Sequence, residues 1–337
     1  MLPAIMQAQT QLSKLSVESS TGQYADLGLQ LGDQSGYELS LRNQNDLLQT
    51  LTTANGLAGT TMATAQSALG SLVTAAQTAA QDVTTWTSGS NSGSTLQTLG
   101  QSSLQQLIST ANVSSGDQYV FGGVNTGVAP VADYYSSPTS SAKTAVTAAF
   151  QSTFGCLPTD PAAASISATA FQSFLSGPFA TLFSGSNWSS NWSSASSTNT
   201  SAEIAPGQTV DTSTNANAAG FQQLAQGYSM LSEFGGSQLS QSAQQTLAMT
   251  ALSSINAGVS SLTATQANLG AAQSQVTQAT ASMSSQMTIL QTQIGNLDNV
   301  DPSSVATQLN TLTTQIDTAY QLTAQIQKLT LAQYLPV

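Results

Sequence analysis

Residues 252–297 read LSSINAGVSSLTATQANLGAAQSQVTQATASMSSQMTILQTQIGNL, and apolar side chains recur along this stretch in steps of three, four or seven. The series consists of Leu252, Ile255, Val259, Leu262, Leu269, Val276, Met283, Met287, Leu290, Ile294 and Leu297. This heptad spacing places one narrow apolar stripe along a helix, which must be covered by a partner. The same register meets polar residues at Gln266, Gln273 and Thr280, and polar groups in such a seam weaken it but fix its register.

A second apolar series lies near the other end of the chain. It consists of Tyr37, Leu41, Leu48, Leu51, Ala58, Met62, Ala65, Leu69, Leu72, Ala76, Ala79, Val83 and Trp86. The spacing predicts a helix over 37–86, on the order of 75 Å long. We expect the two long helices to lie antiparallel in a rod. The predicted seam of this rod is Leu51, Met62, Leu69, Leu72, Ile255, Leu262, Leu269, Met283 and Leu290.

Both chain ends carry shorter amphipathic patterns. Residues 4–20 are predicted to form one helix and residues 303–331 another, with Asp301 as the cap and Pro302 in the first turn of the second helix. Because a lone pair of helices cannot cover such broad apolar faces, we expect them to bind sister molecules. The predicted polymerisation interface is Ile5, Leu12, Leu15, Leu309, Leu312, Ile316, Tyr320, Leu329, Leu331, Tyr334 and Leu335.

The segments between these helices have other patterns. Leucines alternate with glycines over 24–36, which predicts extended or looped chain, and 88–93 is predicted to be a flexible turn before a helix over 95–114. Residues 130–225 are rich in proline and aromatics, which predicts a small α+β insert. Within it the Ser/Asn/Thr tract 184–201 is expected to be an exposed loop. Helix is expected to resume near Ser237.

The predicted fold is therefore mainly α: an elongated antiparallel coiled coil or helical bundle built from both chain ends, with an inserted α+β domain. The expected segments are an N-terminal axial helix and loop, an outgoing rod, the variable insert, a returning rod and a C-terminal axial helix. Their bounds are 1–36, 37–129, 130–225, 226–297 and 298–337.

Composition excludes several functions. The chain has 4 basic and 15 acidic residues, a net charge of −11, no histidine and one cysteine, Cys156. This balance argues against nucleic acid and anionic membranes, and the missing histidine removes the commonest general base and zinc ligand. No transmembrane segment or cleavable signal peptide is visible. We expect no enzyme activity, no cofactor and no metal.

Two clusters could still carry chemistry. The acid pairs Asp26 with Asp33 and Asp298 with Asp301 could bind calcium, but helix capping is the preferred interpretation. Four aromatic residues could form a sugar platform, although a place in the core or on the surface of the insert is the preferred interpretation. These residues are Tyr134, Tyr135, Trp188 and Trp192.

Paired terminal helices around a variable centre resemble the bacterial flagellin family. Local strings support this: LSVESSTG at 15–22, ANLGAAQ at 267–273, NLDNVD at 296–301 and QKLTLAQYL at 327–335. A fifth string, GDQYVFGGVNT at 116–126, resembles the hook–filament junction branch of the family, the third hook-associated protein. The stretch 22–32 is similar to the alphaproteobacterial version of that branch.

The resemblance implies a structural subunit of the bacterial flagellum. Such subunits are exported by the flagellar type III apparatus without a cleaved signal, are held by an export chaperone, and polymerise with themselves and with neighbouring hook and filament proteins. A junction subunit is the first hypothesis and filament flagellin the alternative. A secreted type III translocator and an enzyme within the insert are the remaining hypotheses, and neither has supporting residues.

Overall fold

The computed structural model describes residues 2–89, 92–136 and 138–334, and the side chains discussed below are those of residues 3–327. The described chain is a helical bundle with an inserted α+β region. It divides into two compact units. Unit 1 holds the described residues up to Thr50 and from Ser282 onward, and unit 2 is Leu51–Ala281.

Unit 1 contains both terminal helices. Helix α1 spans Leu2–Thr21 and α10 spans Pro302–Tyr334. The first part of α3 (Ser35–Ser88) and the last part of α9 (Gln241–Asp298) also belong to this unit. As predicted, Asp301 caps α10, because the amide N of Ser303 donates to Asp301 Oδ1 at 2.9 Å.

The prediction of extended or looped chain over 24–36 is wrong from Leu27 onward. Helix α2 spans Leu27–Leu31, and a 3₁₀ turn follows at Gly32–Gln34. The Asp26 side chain caps α2 by accepting a hydrogen bond from the Leu29 amide at 3.1 Å. The alternation of leucine and glycine indicated a non-helical segment, but a capped helical turn satisfies the backbone amides that an unpaired extended segment would leave to water.

The long helices α3 and α9 lie antiparallel within each unit, as predicted. In unit 2 the Gln66 amide donates to the backbone oxygen of Gln266 at 2.8 Å, and Asn55 donates to Thr280 Oγ1 at 3.1 Å. In unit 1, Gln291 contacts Asn45 at 3.5 Å. Along these pairs the residue number increases on α3 and decreases on α9, which shows that the two helices run in opposite directions. Gln266 and Thr280 therefore both accept interhelical hydrogen bonds within the polar positions of the seam.

Two further helices complete the bundle of unit 2. Helix α4 spans Gly93–Ala111, close to the predicted helix, and α8 spans Ala219–Phe234. The sequence pattern placed 226–297 in the returning rod but indicated helix only from about Ser237, and residues up to 225 were assigned to the insert, so α8 was not predicted as a separate helix. Phe221, Leu224, Tyr228 and Leu231 are buried on α8. The predicted turn over 88–93 includes Ser90 and Asn91, which lie outside the described residues.

The region between α4 and α8 has mixed structure. Two antiparallel hairpins occur there, β1 (Ser114–Ser115) with β2 (Gln118–Tyr119) and β3 (Ser201–Ala205) with β4 (Gln208–Asp211). Helices α5 (Ser141–Phe154), α6 (Ala168–Phe174) and α7 (Gly185–Asn191) make up most of the remainder. Short 3₁₀ and π turns at Pro161–Ser165, Leu175–Phe179 and Ala180–Phe183 connect them.

The prediction of an exposed loop over 184–201 is wrong for much of that tract. It contains α7, and both of its tryptophans are buried. Trp188 and Trp192 stack at 5.6 Å between ring centroids, and the Trp188 indole donates to Asn217 Oδ1 at 2.9 Å. The polar composition of the tract indicated a loop. The two tryptophans nevertheless bury enough apolar surface to pack this short segment against the insert.

The core of the insert is a cluster of phenylalanines around Phe234 at the end of α8. Its ring centroid lies 5.3 Å from Phe150, 5.7 Å from Phe171 and 5.6 Å from Phe179. These rings come from short helices rather than from a sheet. The same apolar cluster continues into the seam of α3 and α9, so the insert and the helical bundle of unit 2 share one core.

Candidate assembly surfaces

The terminal helices α1 and α10 pack against each other within the chain. Leu15, Val300 and Val305 form a small buried cluster, and Leu309 and Leu312 pack against it. Farther along, the Gln9 side chain donates to the Tyr320 hydroxyl at 2.7 Å. Part of the apolar stripe of α1 is therefore buried against the apolar stripe of α10 within the same chain.

Two turns fix the start of this pair. The amide of Tyr24 donates to the Asp298 carbonyl at 3.0 Å, and the amide of Val300 donates to the Gly22 carbonyl at 3.0 Å. Gly22 has φ +71°, a left-handed conformation that glycine adopts without a steric cost. This short antiparallel bridge joins the end of α1 to the turn between α9 and α10.

An ion cluster lies beside the bridge. Arg42, the only arginine of the chain, pairs with Glu38 one turn earlier on α3 and with Asp298 at the end of α9. The hydrogen bond that Arg42 donates to Glu38 is the main cause that raises the pKa of Arg42 above its ordinary value. Asp298 is almost fully buried, so Arg42 supplies the charge partner that a buried carboxylate needs.

The predicted interface residues divide into three groups. Leu15 and Ile316 are buried, and Ile5, Leu12, Leu309 and Leu312 are half-buried, whereas Tyr320 is 49% exposed. Leu329, Leu331 and Tyr334 lie on α10, outside the residues whose side chains are described, and Leu335 lies outside the described residues altogether.

Other side chains carry the exposed apolar surface of these helices. They are Met6 at 62%, Val17 at 46% and Leu322 at 47% exposure. Met6 and Val17 were not singled out from the sequence. A helical projection would have found them, because at 100° per residue both lie well away from the direction of Leu15.

The structure buries most of the predicted seam residues and half-buries the others. Met62, Leu69, Leu72, Ile255, Leu262, Leu269 and Met283 are buried, and Leu51 and Leu290 are half-buried. Helix α8 covers part of this seam through glycines. A Cβ atom at Gly220 would lie 2.6 Å from Leu262 Cγ, and one at Gly227 would lie 2.8 Å from Ile255 Cγ1. Glycine therefore sets the close approach of α8 to α9.

The aromatic candidates form core rather than a sugar platform. Tyr134 stacks on Trp192 at 5.0 Å between centroids, and Tyr134, Trp188 and Trp192 are all buried. Lys143 lies 5.5 Å from the centroid of the Tyr135 ring and 3.6 Å from Glu233 Oε1. Burial raises the pKa of Glu233, and the Lys143 charge opposes this rise.

Two negative findings apply to the described part of the chain. Residues 2–89, 92–136 and 138–334 contain no group of three His, Cys, Asp or Glu side chains that could hold a metal ion. Across the same residues, every helix is too short or too polar to span a bilayer.

Comparison with known proteins identifies the terminal regions. The family model of the bacterial flagellin N-terminal helical region matches residues 1–126, and that of the C-terminal helical region matches residues 252–335. Together the two matches cover more than half of the chain. The chain belongs to the bacterial flagellin family.

This flagellin also has a relative among solved structures. Its fold is similar to that of a candidate flagellar hook-associated protein from Vibrio parahaemolyticus, with a TM-score of 0.52 and 12% sequence identity. The alignment covers 79% of this chain and 97% of the other. No curated protein sequence gives a significant match.

Family membership sets the function at a coarse level. Flagellins are structural proteins of the bacterial flagellum and are not enzymes. They polymerise with themselves and with other flagellar components outside the cell.

Proposed function

We propose that this flagellin is the subunit of the hook–filament junction. The segment Gly116–Thr126 carries the proposal, because it resembles the junction branch of the family and is built into the core of unit 2. Phe121 within it is fully buried and meets Phe221 of α8 edge-on at 5.1 Å between centroids. The similarity to a hook-associated fold supports the same role.

The terminal helices make the proposed contacts between subunits. Met6, Val17, Tyr320 and Leu322 are the exposed apolar side chains that a neighbouring copy would cover. Fully burying one large apolar side chain contributes roughly 1.5–3 kcal/mol. The half-buried residues Ile5, Leu12, Leu309 and Leu312 supply the remaining apolar area of this proposed surface. An export chaperone covers the same helices before assembly.

The interface is tested by adding one charge to it. Leu322→Asp places a carboxylate where an apolar neighbour is expected, which costs far more than the lost apolar contact. We expect at least a tenfold loss of incorporation into appendages, measured by immunoblot of sheared material. Gln321→Asp, which adds the same charge at the adjacent exposed position, is the control. Normal incorporation of Leu322→Asp contradicts the proposed interface.

Copy number tests the junction role itself. Quantitative immunoblotting of purified appendages against a known amount of the protein gives the number of copies per flagellum. We expect on the order of one helical turn of copies, and immunogold label confined to the base of the filament. Thousands of copies along the filament would instead establish the alternative.

The alternative is filament flagellin. The family models of both flagellin helical regions match this chain, over residues 1–126 and 252–335. A filament subunit would give the same two matches, which supports this alternative. Both roles use the same terminal contacts, so only position and number in the appendage separate them.

A further inference from the structure

Asp298 connects three segments of unit 1. Its carbonyl accepts the amide of Tyr24, in the linker after α1, at 3.0 Å, and its side chain pairs with Arg42 on α3. Two residues later, the amide of Val300 donates to the Gly22 carbonyl at 3.0 Å. The end of α9, the end of α1 and the first part of α3 are therefore joined around one residue.

The position of Asp298 in its helix is unfavourable for a carboxylate. Asp298 is the last residue of α9, where the partial negative charge of the helix C-terminus repels an anion. Its exposed fraction is only 1%, so water screens this repulsion poorly. Asp298 Oδ2 meets Arg42, whereas Oδ1 has no hydrogen-bond donor among the residues that the structure describes. The Asp298 charge therefore depends on Arg42.

Glu38, the second carboxylate beside Arg42, depends less on it. Glu38 is also largely buried, but it lies in the first turn of α3, where the helix dipole stabilises an anion. The Arg42 side chain is 44% exposed and can be hydrated without Asp298. Removing the Arg42 charge leaves a buried carboxylate uncompensated, whereas removing the Asp298 charge leaves only a half-exposed guanidinium. The two halves of the pair are therefore not equivalent.

The helix pair beside this site has little core of its own. The buried cluster between α1 and α10 consists of Leu15, Val300 and Val305, and Tyr24 packs against it. Segments with few buried apolar contacts open locally at a low free energy. An outward movement of Asp298 that hydrates its carboxylate would displace Val300 and break the hydrogen bond from the Tyr24 amide.

We propose that Arg42 and Asp298 form a charge latch that holds both terminal helices of a free subunit in place. With the latch closed, the turn between α9 and α10 is bonded to the end of α1, so α1 and α10 stay ordered together. Loss of the Arg42 charge opens this turn and releases both helices at once, while unit 2 keeps its fold. The latch is a property of the single chain and does not depend on where the subunit lies in the flagellum.

Hydrogen–deuterium exchange of the purified full chain, followed by mass spectrometry, tests the latch. We expect Arg42→Gln to raise the exchange rates of amides in 10–21 and 303–316 by roughly tenfold or more, with the amides of α8 unchanged. Asp298→Asn should raise them by less than about threefold, because a neutral amide needs no counter-charge. The double variant should resemble Asp298→Asn. A plain hydrogen-bonded pair would instead give equal losses in both single variants.

Lys14→Gln is the matched control, because it removes one positive charge from an exposed position on α1. It should leave the exchange rates unchanged, and Arg42→Lys, which keeps the charge, should stay closer to the wild type than Arg42→Gln. A double variant as fast as Arg42→Gln, equal effects of the two single variants, or an equal effect of Lys14→Gln would each overturn the latch. Loss of protection in α8 as well would show general unfolding and would also overturn it. None of these outcomes bears on the proposed junction role.

Discussion

Single glycines decide how closely the helices of unit 2 approach. At Gly100 on α4, an added Cβ would lie 2.3 Å from the Ser232 amide N and 2.7 Å from the Leu231 carbonyl carbon. These are backbone atoms of α8, which cannot turn aside as the end of a long side chain can. Glycine has a lower helix propensity than alanine, but at position 100 it permits a close contact between α4 and α8 that a larger residue would prevent.

We therefore expect Gly100→Ala to destabilise unit 2 by roughly 1–3 kcal/mol, because overpacking outweighs the gain in helix propensity. Thermal unfolding followed by circular dichroism measures the change. Gly56→Ala on α3 is the matched control, since its Cβ would meet nothing within 4 Å. The control should gain up to about 1 kcal/mol. An unchanged melting temperature for Gly100→Ala would show that the helices separate without cost.

Burial of three tyrosines should lower the stability of the folded chain at alkaline pH. Burial raises the pKa of Tyr135 to about 12, and it also raises the pKa of Tyr134 and of Tyr228. In the unfolded chain tyrosine ionises near pH 10. The unfolded state therefore loses protons first, and stability falls as pH rises from 10 toward 12.

Urea unfolding at several pH values should show this loss. We expect the urea midpoint to hold from pH 8 to about 10 and then to decrease steeply. Tyr135→Phe should flatten part of the decrease, although it also removes the hydrogen bond between Tyr135 and Ser232, which is 2.7 Å long. An identical pH slope in the variant would mean that Tyr135 does not contribute.

At the scale of elements, polar residues in the seam set the pairing of α3 and α9. Gln66, Gln266, Asn55 and Thr280 form hydrogen bonds across the helices, so a slipped register would leave buried amides without partners. Asn55 also donates to the carbonyl of Ile204 at 2.8 Å, which attaches the β3–β4 hairpin to α3.

Gln273 occupies the same seam and is half-buried. We predict that Gln273→Leu raises thermal stability, because an apolar side chain adds burial at roughly 25 cal/mol per Å². The same change should disturb the polymer, because a polar residue in a helical seam disfavours alternative registers and an apolar one does not. Cryo-microscopy of appendages measures the helical parameters. Wild-type parameters in the variant would refute the register role of Gln273.

For the whole molecule, the two units differ in how much core they hold. Unit 2 contains the large cluster that joins the seam to the insert, whereas the terminal pair of unit 1 has the small cluster of Leu15, Val300 and Val305. Removing the terminal helices should therefore leave the main core intact.

A chain lacking residues 1–36 and 303–337 is expected to be a folded, helical monomer that no longer polymerises. Circular dichroism and light scattering measure the two properties. Deleting 303–337 alone is the comparison, because it leaves α1 without its partner and should promote nonspecific association. Loss of the helical signal in the double deletion would count against an independent core in unit 2.

The sequence by itself determined the long helices, their antiparallel pairing and the cap at Asp301, because apolar periodicity and capping chemistry are local. It left open whether Trp188 and Trp192 are core or surface, and only the structure shows that both are buried. Only the tertiary structure revealed α8, α7 and the helical turn at Leu27–Leu31. These elements depend on distant contacts, such as Trp188 with Asn217 and the glycine faces of α8, which local spacing does not encode. The structure likewise decided which face of α1 and α10 stays exposed, since each stripe is first covered by the other helix.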